Sequence, residues 1–297
     1  LTLPFDSPLD SLVQINTDDF LTAWGLDKLP FGQGLLRWLA RPSATDFARQ
    51  LLSFDHEVGE GELMRGGLVL TQHYAAGLQV AGREHIPTDA PVLVLSNHPG
   101  LSDTVALFAA IARPDLRVIA LDRPFLRSLP NTAQRLYLLP DDTPGRMTVT
   151  RSVANYLRKG GSVLTFPGGE IEPDPAVLPG AVDSLRTWSE SVGLFARLAP
   201  QTRIVAAIVS GVLSPQAQNN PLIKLRRDRK KREFLGATLQ ILWKPYRKNI
   251  VRVAFAPPLL GSDWIAVNPD PVYVTSQVTQ AARTLIETPP VKWETIF

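Results

Sequence analysis

The chain has 297 residues, 44% of them apolar and 20% charged, with a formal charge of +3 and no cysteine. That length suits about one to two domains and is ample for a buried core. A chain without thiols has no disulfide framework, no thiolate zinc site, no iron–sulfur cluster and no cysteine nucleophile.

Residues 1–75 read as a mostly helical segment. Leu35, Leu36, Trp38 and Leu39 cluster, and Phe47, Leu51 and Leu52 follow at helical spacing. A second helix is predicted over Leu63–Leu78, although Gly66 and Gly67 weaken it. Residues 76–297 then form an α/β domain, in which short apolar runs alternate with amphipathic stretches. Strands are predicted at Val92–Ser96, Arg117–Leu121, Leu136–Leu139, Ser162–Phe166, Arg203–Val209 and Val251–Phe255. Helices are predicted at Asp103–Ala112, Thr148–Arg158, Ala181–Ala199, Lys231–Trp243 and Val274–Glu287. Continuous apolar strands belong in a sheet covered on both faces. Their alternation with helices predicts a mixed, largely parallel central sheet flanked by helices, with an N-terminal helical segment. In such sheets a site lies beyond the carboxyl ends of the strands. The longest apolar run, Ile204–Val209, falls short of the roughly 20 residues a membrane span needs. No stretch at the start reads as a signal peptide. The first residue is Leu1 rather than Met, which is compatible with a trimmed leader or tag.

Charge is unevenly spread. Residues 1–63 carry net −6, whereas residues 201–256 carry net +10. The basic run is Lys224, Arg226, Arg227, Arg229, Lys230, Lys231 and Arg232. It precedes Leu235, Leu239, Ile241, Leu242 and Trp243. Basic residues beside an apolar, tryptophan-bearing segment suit an anionic membrane surface. The alternative is a helix packing its apolar face into the core behind a solvated basic loop. No nucleic-acid-binding module accompanies the run, so nucleic acid is the least favoured partner.

Two loops carry chemistry. The first strand delivers Asn97-His98-Pro99-Gly100-Leu101-Ser102-Asp103 to the start of a helix. Pro99 and Gly100 make a turn, and a carboxylate at a helix N-terminus is favoured by the helix dipole. The turn can return Asp103 to one nitrogen of the His98 ring, leaving the other to accept a proton from a hydroxyl. A capping aspartate beside a structural histidine is the other reading of the same spacing. The second loop is Phe166-Pro167-Gly168-Gly169-Glu170-Ile171-Glu172-Pro173-Asp174. Its turn exposes backbone N–H groups that can hold a phosphate or a developing oxyanion, and Glu170 can receive a substrate hydroxyl or pair with an arginine. A tight turn that merely requires glycine is the alternative. His56, His73 and His85 show no metal-ligand spacing, and no metal site is expected.

Taken together, the two loops resemble the phospholipid and glycerol acyltransferase family. Its first motif is N-H-x4-D, matched by Asn97, His98 and Asp103. Its third is close to F-P-E-G-T-R or F-P-A-G-E, and Phe166, Pro167, Gly169 and Glu170 fit the second form, with Gly168 at the alanine. The separation of roughly 70 residues also suits the family. Arg203-Ile-Val-Ala-Ala-Ile-Val looks like its fourth block, and the resemblance covers about residues 75–260. Two departures stand out. Gly168 replaces the F-P-E-G-T-R glutamate, and no arginine follows Glu170. The second motif's phosphate-gripping arginine is absent from Leu136–Asp142, so Arg123, Arg135 and Arg146 are the candidates to replace it, with structural salt bridging as the alternative for each.

The resemblance implies an acyltransferase that moves a fatty acyl group from acyl-CoA or acyl carrier protein to a hydroxyl of a glycerolipid precursor, a lysophospholipid or glycerol phosphate. His98 would be the general base, Asp103 its orienter, and Asn97 with Pro167, Gly168, Gly169 and Glu170 the substrate-binding set. No bound cofactor is implied, because the thioester is a co-substrate. The implied location is cytoplasmic, at a membrane surface that the protein does not cross. The competing expectation is a non-catalytic lipid-binding or membrane-docking protein that keeps the fold without the acceptor grip.

Overall fold

The structure, a computed structural model, describes residues 7–29, 31–100 and 102–297. Leu101, inside the first motif, lies outside the described residues. Two long helices come first, α1 (Pro8–Trp24) and α2 (Gln33–Tyr74). Strands β1 (Gly77–Ala81) and β2 (Val92–Ser96) lead to α3 (Asp103–Ile111) and β3 (Leu116–Leu121). Short helices α4 (Pro124–Arg127) and α5 (Pro130–Ala133) precede β4 (Leu136–Leu139), α6 (Thr143–Arg158) and β5 (Ser162–Thr165). Then come α7 (Ala181–Ser184), α8 (Ser191–Leu198), β6 (Arg203–Ser210), α9 (Pro215–Gln218) and α10 (Arg229–Leu242). The chain closes with β7 (Ile250–Phe255), β8 (Leu259–Leu260), α11 (Gly261–Val267), α12 (Pro271–Glu287) and β9 (Glu294–Thr295).

The strands form one sheet in the order β4-β3-β5-β2-β6-β7-β1-β9, with β8 paired to β6. From β4 to β6 the pairing is parallel, and β7 turns antiparallel against β6. The sheet is therefore mixed and largely parallel, as its apolar strands predict. Side chains alternate between its faces. Val92 and Val94 pack into a core with Leu51, Phe54 and Leu70 of α2 and Phe108 of α3. Leu93 and Leu95 pack into a second core with Phe195 of α8, Val278 of α12 and Leu157 of α6. Leu12 and Phe20 of α1 belong to the first core, so the N-terminal helices and the sheet share one apolar interior.

Several elements depart from the sequence pattern for identifiable reasons. The helix expected through Leu78 stops at Tyr74, because Leu78 pairs with Val251 as part of β1. A backbone break at Gly61 and Glu62 divides α2 just before Leu63. The helix expected from Thr148 starts at Thr143, because the Asp142 side chain accepts the Gly145 N–H at 2.7 Å and Pro144 sits in the first turn. Ala181–Ala199 is not one helix: Trp188 is extended between α7 and α8, and its indole donates to Glu172.

Gly67 marks where α2 meets α3, and Gly66 faces Phe54 and Val58 across the break within α2. A Cβ at Gly67 would lie 2.5 Å from the Val105 carbonyl oxygen and 2.7 Å from the Phe108 Cβ. The glycines cost helix propensity but let two backbones approach. Gly67→Ala is therefore expected to destabilise the fold by about 1–3 kcal/mol through overpacking, read as a lower denaturant midpoint in equilibrium unfolding.

Candidate active site

Strands β5, β2 and β6 lie side by side and run the same way. The segments leaving their carboxyl ends therefore meet: 97–103 after β2, 166–174 after β5 and 211–214 after β6.

His98 stands where these segments converge. Its Nδ1 is 2.7 Å from Asp103 Oδ2, and its ring centroid is 4.6 Å from that of Phe166. The side chain is 30% exposed, which leaves Nε2 as the nitrogen to meet a substrate. Asp103 is fully buried at the start of α3. Its Oδ2 also accepts the Gly100 N–H at 2.9 Å, and its Oδ1 accepts from the Thr104 N–H and hydroxyl. Gly100 adopts φ 154°, which favours glycine and turns its amide toward the carboxylate.

Burial opposes protonation of His98. The charge and hydrogen bond of Asp103, with a further push from Glu172, outweigh it and raise the imidazole above its ordinary value of 6.5. A carboxylate on Nδ1 fixes the tautomer and stabilises the cation that forms when Nε2 takes a proton. The arrangement can serve as a base with its orienter.

The other predicted residues fall in different places. Asn97 is buried, and its side chain spends both ends on the backbone of β6, donating to the Val209 carbonyl at 2.9 Å and accepting its N–H at 2.8 Å. It braces the loop rather than contacting substrate, which corrects the expected role. Pro167, Gly168 and Gly169 form the tight turn after β5. The Gly169 amide closes that turn on the Phe166 carbonyl at 3.1 Å, so it is not free for an oxyanion. Glu170 pairs with Lys230 at the start of α10 at 2.6 Å, both side chains being well exposed. The lysine's hydrogen bond and charge hold the Glu170 carboxyl below its ordinary range.

Arg135 stands just before β4 and donates to the Pro114 carbonyl, at the amino ends of β3 and β4. That is the opposite end of the sheet from His98, so parallel pairing removes it as an acceptor grip. Arg123 follows β3, and Arg146 lies in the first turn of α6, donating to the Pro140 carbonyl. Both sit at the same end of the sheet as His98, on the β3–β4 flank. In the basic run, Arg229 pairs with Glu233, and Arg226 packs where a Cβ on Gly25 would overlap it. Lys224, Arg227, Lys231 and Arg232 are exposed. Leu235, Leu239 and Ile241 pack inward, so this helix uses its apolar face for the core.

Two carboxylates in the 166–174 segment were not singled out by sequence reasoning. Glu172 is 4% exposed and accepts from the His98 amide at 3.1 Å, the Trp188 indole at 3.1 Å and the Ser184 hydroxyl at 3.0 Å. Asp174 is fully buried and accepts from the amides of Ala176, Gly211 and Leu213, each at 2.9 Å. Burial pushes both carboxyls up, against the pull of these donors. Two acids spaced by two beside a glycine turn were the available signal, but spacing alone does not report burial.

Residues 77–209 match the model of the Acyltransferase family, a span that holds both loops up to Val209. Over this segment, a little under half of its length, the chain is similar to that family. The enzyme transfers acyl groups. No curated protein matches the sequence. Among solved structures, the crystal structure of the 1-acyl-sn-glycerophosphate (LPA) acyltransferase PlsC from Thermotoga maritima is similar at 17% identity and a TM-score of 0.43, over 92% of this chain and 97% of that one.

In a histidine NMR titration, the His98 midpoint of this acyltransferase is expected above 6.5, and Asp103→Asn is expected to move it down. Because the folded midpoint is raised, the protonated ring stabilises the fold. That contribution is complete below about 6.5 and is lost as pH rises through the folded midpoint. A midpoint at or below the ordinary value would refute the ion pair.

Proposed function

We propose that this acyltransferase moves a fatty acyl group from a thioester, acyl-CoA or acyl carrier protein, to a hydroxyl of a glycerolipid precursor, a lysophospholipid or glycerol phosphate. The observation that carries the mechanism is the His98–Asp103 pair, with Nδ1 tied at 2.7 Å, which leaves Nε2 as the nitrogen for a substrate. His98 Nε2 takes the proton of the acceptor hydroxyl as its oxygen attacks the thioester carbonyl carbon. The tetrahedral intermediate collapses with cleavage of the carbon–sulfur bond. The proton held on Nε2 then passes to the departing thiolate, giving a free thiol and an ester. Asp103 keeps Nδ1 protonated throughout and offsets the charge of the imidazolium. No enzyme-bound acyl group is required. Arg123 and Arg146 are the candidates for an acceptor phosphate at this end of the sheet.

We place the enzyme at an anionic membrane surface. Phe31, Leu35, Trp38 and Leu39 are 87%, 62%, 67% and 58% exposed where α2 begins. Single exposed apolar residues are ordinary, but a cluster of this kind marks a contact surface. Trp38 and Leu39 also border a cavity of about 500 Å³ together with Arg41 and Arg49. The basic run adjoins the same end of the molecule through Arg226 against Gly25, the cap of α1. Apolar residues that enter the interface and cations that meet anionic headgroups act together there. Among the described residues, no helix is long and apolar enough to cross a membrane.

His98→Ala is expected to lower thiol release from labelled acyl-CoA by about 10²–10⁴-fold with glycerol 3-phosphate or lysophosphatidate as acceptor. Turnover equal to the parent enzyme would remove His98 as the base. The acid limb of kcat/KM should titrate above 6.5, since the base works only when neutral. Co-sedimentation with vesicles containing phosphatidylserine should be strong at low salt, weaker at high salt, and reduced by Leu35→Asp or Trp38→Asp. Equal recovery in the supernatant with and without vesicles would dismiss the surface.

A further inference from the structure

Glu172 and His98 are tied twice. The Glu172 carboxylate accepts the His98 amide at 3.1 Å, and the Glu172 amide donates to the His98 carbonyl at 2.9 Å. The carboxylate itself is locked from behind by the Trp188 indole and the Ser184 hydroxyl. Three donors therefore converge on a nearly sealed acid, one of them the backbone of the base. Trp188 is where the expected 181–199 helix breaks, so the chain gives up continuous helix to place that donor.

Space around the carboxylate depends on Gly168. A Cβ built at Gly168 would lie 3.0 Å from both Cδ and Oε2 of Glu172. Position 168 is also where one branch of the resembling motif carries its glutamate. This chain has glycine there and a carboxylate from four residues downstream in the adjoining volume.

We propose that Glu172 is a positioning residue for His98, supplying from position 172 the buried carboxylate for which Gly168 makes room. It acts on the base at its backbone, whereas Asp103 acts at the ring. Asp103 holds the ring through Nδ1, and Glu172 holds the backbone of the same residue, so the direction of Nε2 is set at both ends. The charges facing the ring are Asp103 on α3 and Glu172 on the 166–174 segment. The third wall brings Val212 and Leu213 near Gly100 and adds no charge.

The role in turnover rests on the acyl-transfer reading, so the test has an arm that does not. Glu172→Gln keeps the side-chain volume but removes the charge and cannot accept from all three donors. In a histidine NMR titration, with His98 assigned by its loss in His98→Ala, the midpoint is expected to move to lower pH. In thiol-release assays with acyl-CoA and lysophosphatidate, kcat is expected to fall about 10–100-fold with KM little changed. Glu172→Ala should lose at least as much, and Gly168→Glu combined with Glu172→Ala should recover part of kcat. An unmoved His98 midpoint, or a kcat within about twofold of the parent alongside a lowered melting temperature, would reduce Glu172 to a structural role and overturn the proposal. A double variant no faster than Glu172→Ala would overturn the use of position 168. If the parent enzyme releases no thiol with any acceptor, the acyl-transfer reading fails and the titration alone decides.

Discussion

Asp103 exposes no surface, yet four donors meet its two oxygens: the His98 ring, the amides of Gly100 and Thr104, and the Thr104 hydroxyl. An ionised carboxylate withdrawn from water costs several kcal/mol unless its lone pairs are met. That requirement dictates the local chain. Gly100 must turn its amide inward, Thr104 must follow Asp103 into the helix, and the His98 ring must present Nδ1. The same contacts that make the buried charge tolerable also fix the imidazole ring through Nδ1. Stability and the orientation of the His98 ring here share one set of hydrogen bonds.

The three segments around His98 are held by side chain–backbone bonds, because irregular backbone at strand ends has no ladder to satisfy it. Asn97 continues the β2–β6 pairing with its amide side chain. Asp174 gathers the amides of Gly211 and Leu213. Gln240 of α10 accepts the Ser214 amide at 2.8 Å and donates to the Val212 carbonyl at 3.0 Å. The helix that begins with the basic run is thereby bonded to the wall beside His98. At its other end, Lys230 reaches Glu170 on the β5 turn. A surface-facing element and the reaction site are thus mechanically continuous.

The N-terminal helices combine two roles that amphipathic helices usually separate. Leu51, Phe54 and Leu70 cover one face of the sheet, and Asp55 accepts from the amides of Asn131 and Thr132 to bind α2 to the β3–β4 connection. The first turns of α2 extend past this packing, and there Leu35, Trp38 and Leu39 meet solvent. Helical spacing makes the two ends of α2 look alike in sequence. Packing distinguishes them, because an apolar stripe is buried only where another element lies against it.

Strands buried on both faces advertise themselves through largely apolar runs, so β2, β3, β5, β6 and β7 were legible, and with them the largely parallel sheet. The His-x4-Asp loop was legible too, because its turn and its acid are local in sequence. Strand β1 was not: Gly77 and Leu78 read as the tail of the preceding helix, and pairing with β7 and β9 makes the segment a strand. The fate of the polar side chains was equally hidden. Asn97 turned to a neighbouring backbone, Arg135 lay at the far end of the sheet, and Glu172 came to rest under His98. The sequence by itself determined which residues could be buried and which side chain could take a proton, since hydrophobicity and ionisation are properties of single side chains. Only the tertiary structure decided which carboxylates lost their water, because desolvation comes from atoms far apart along the chain.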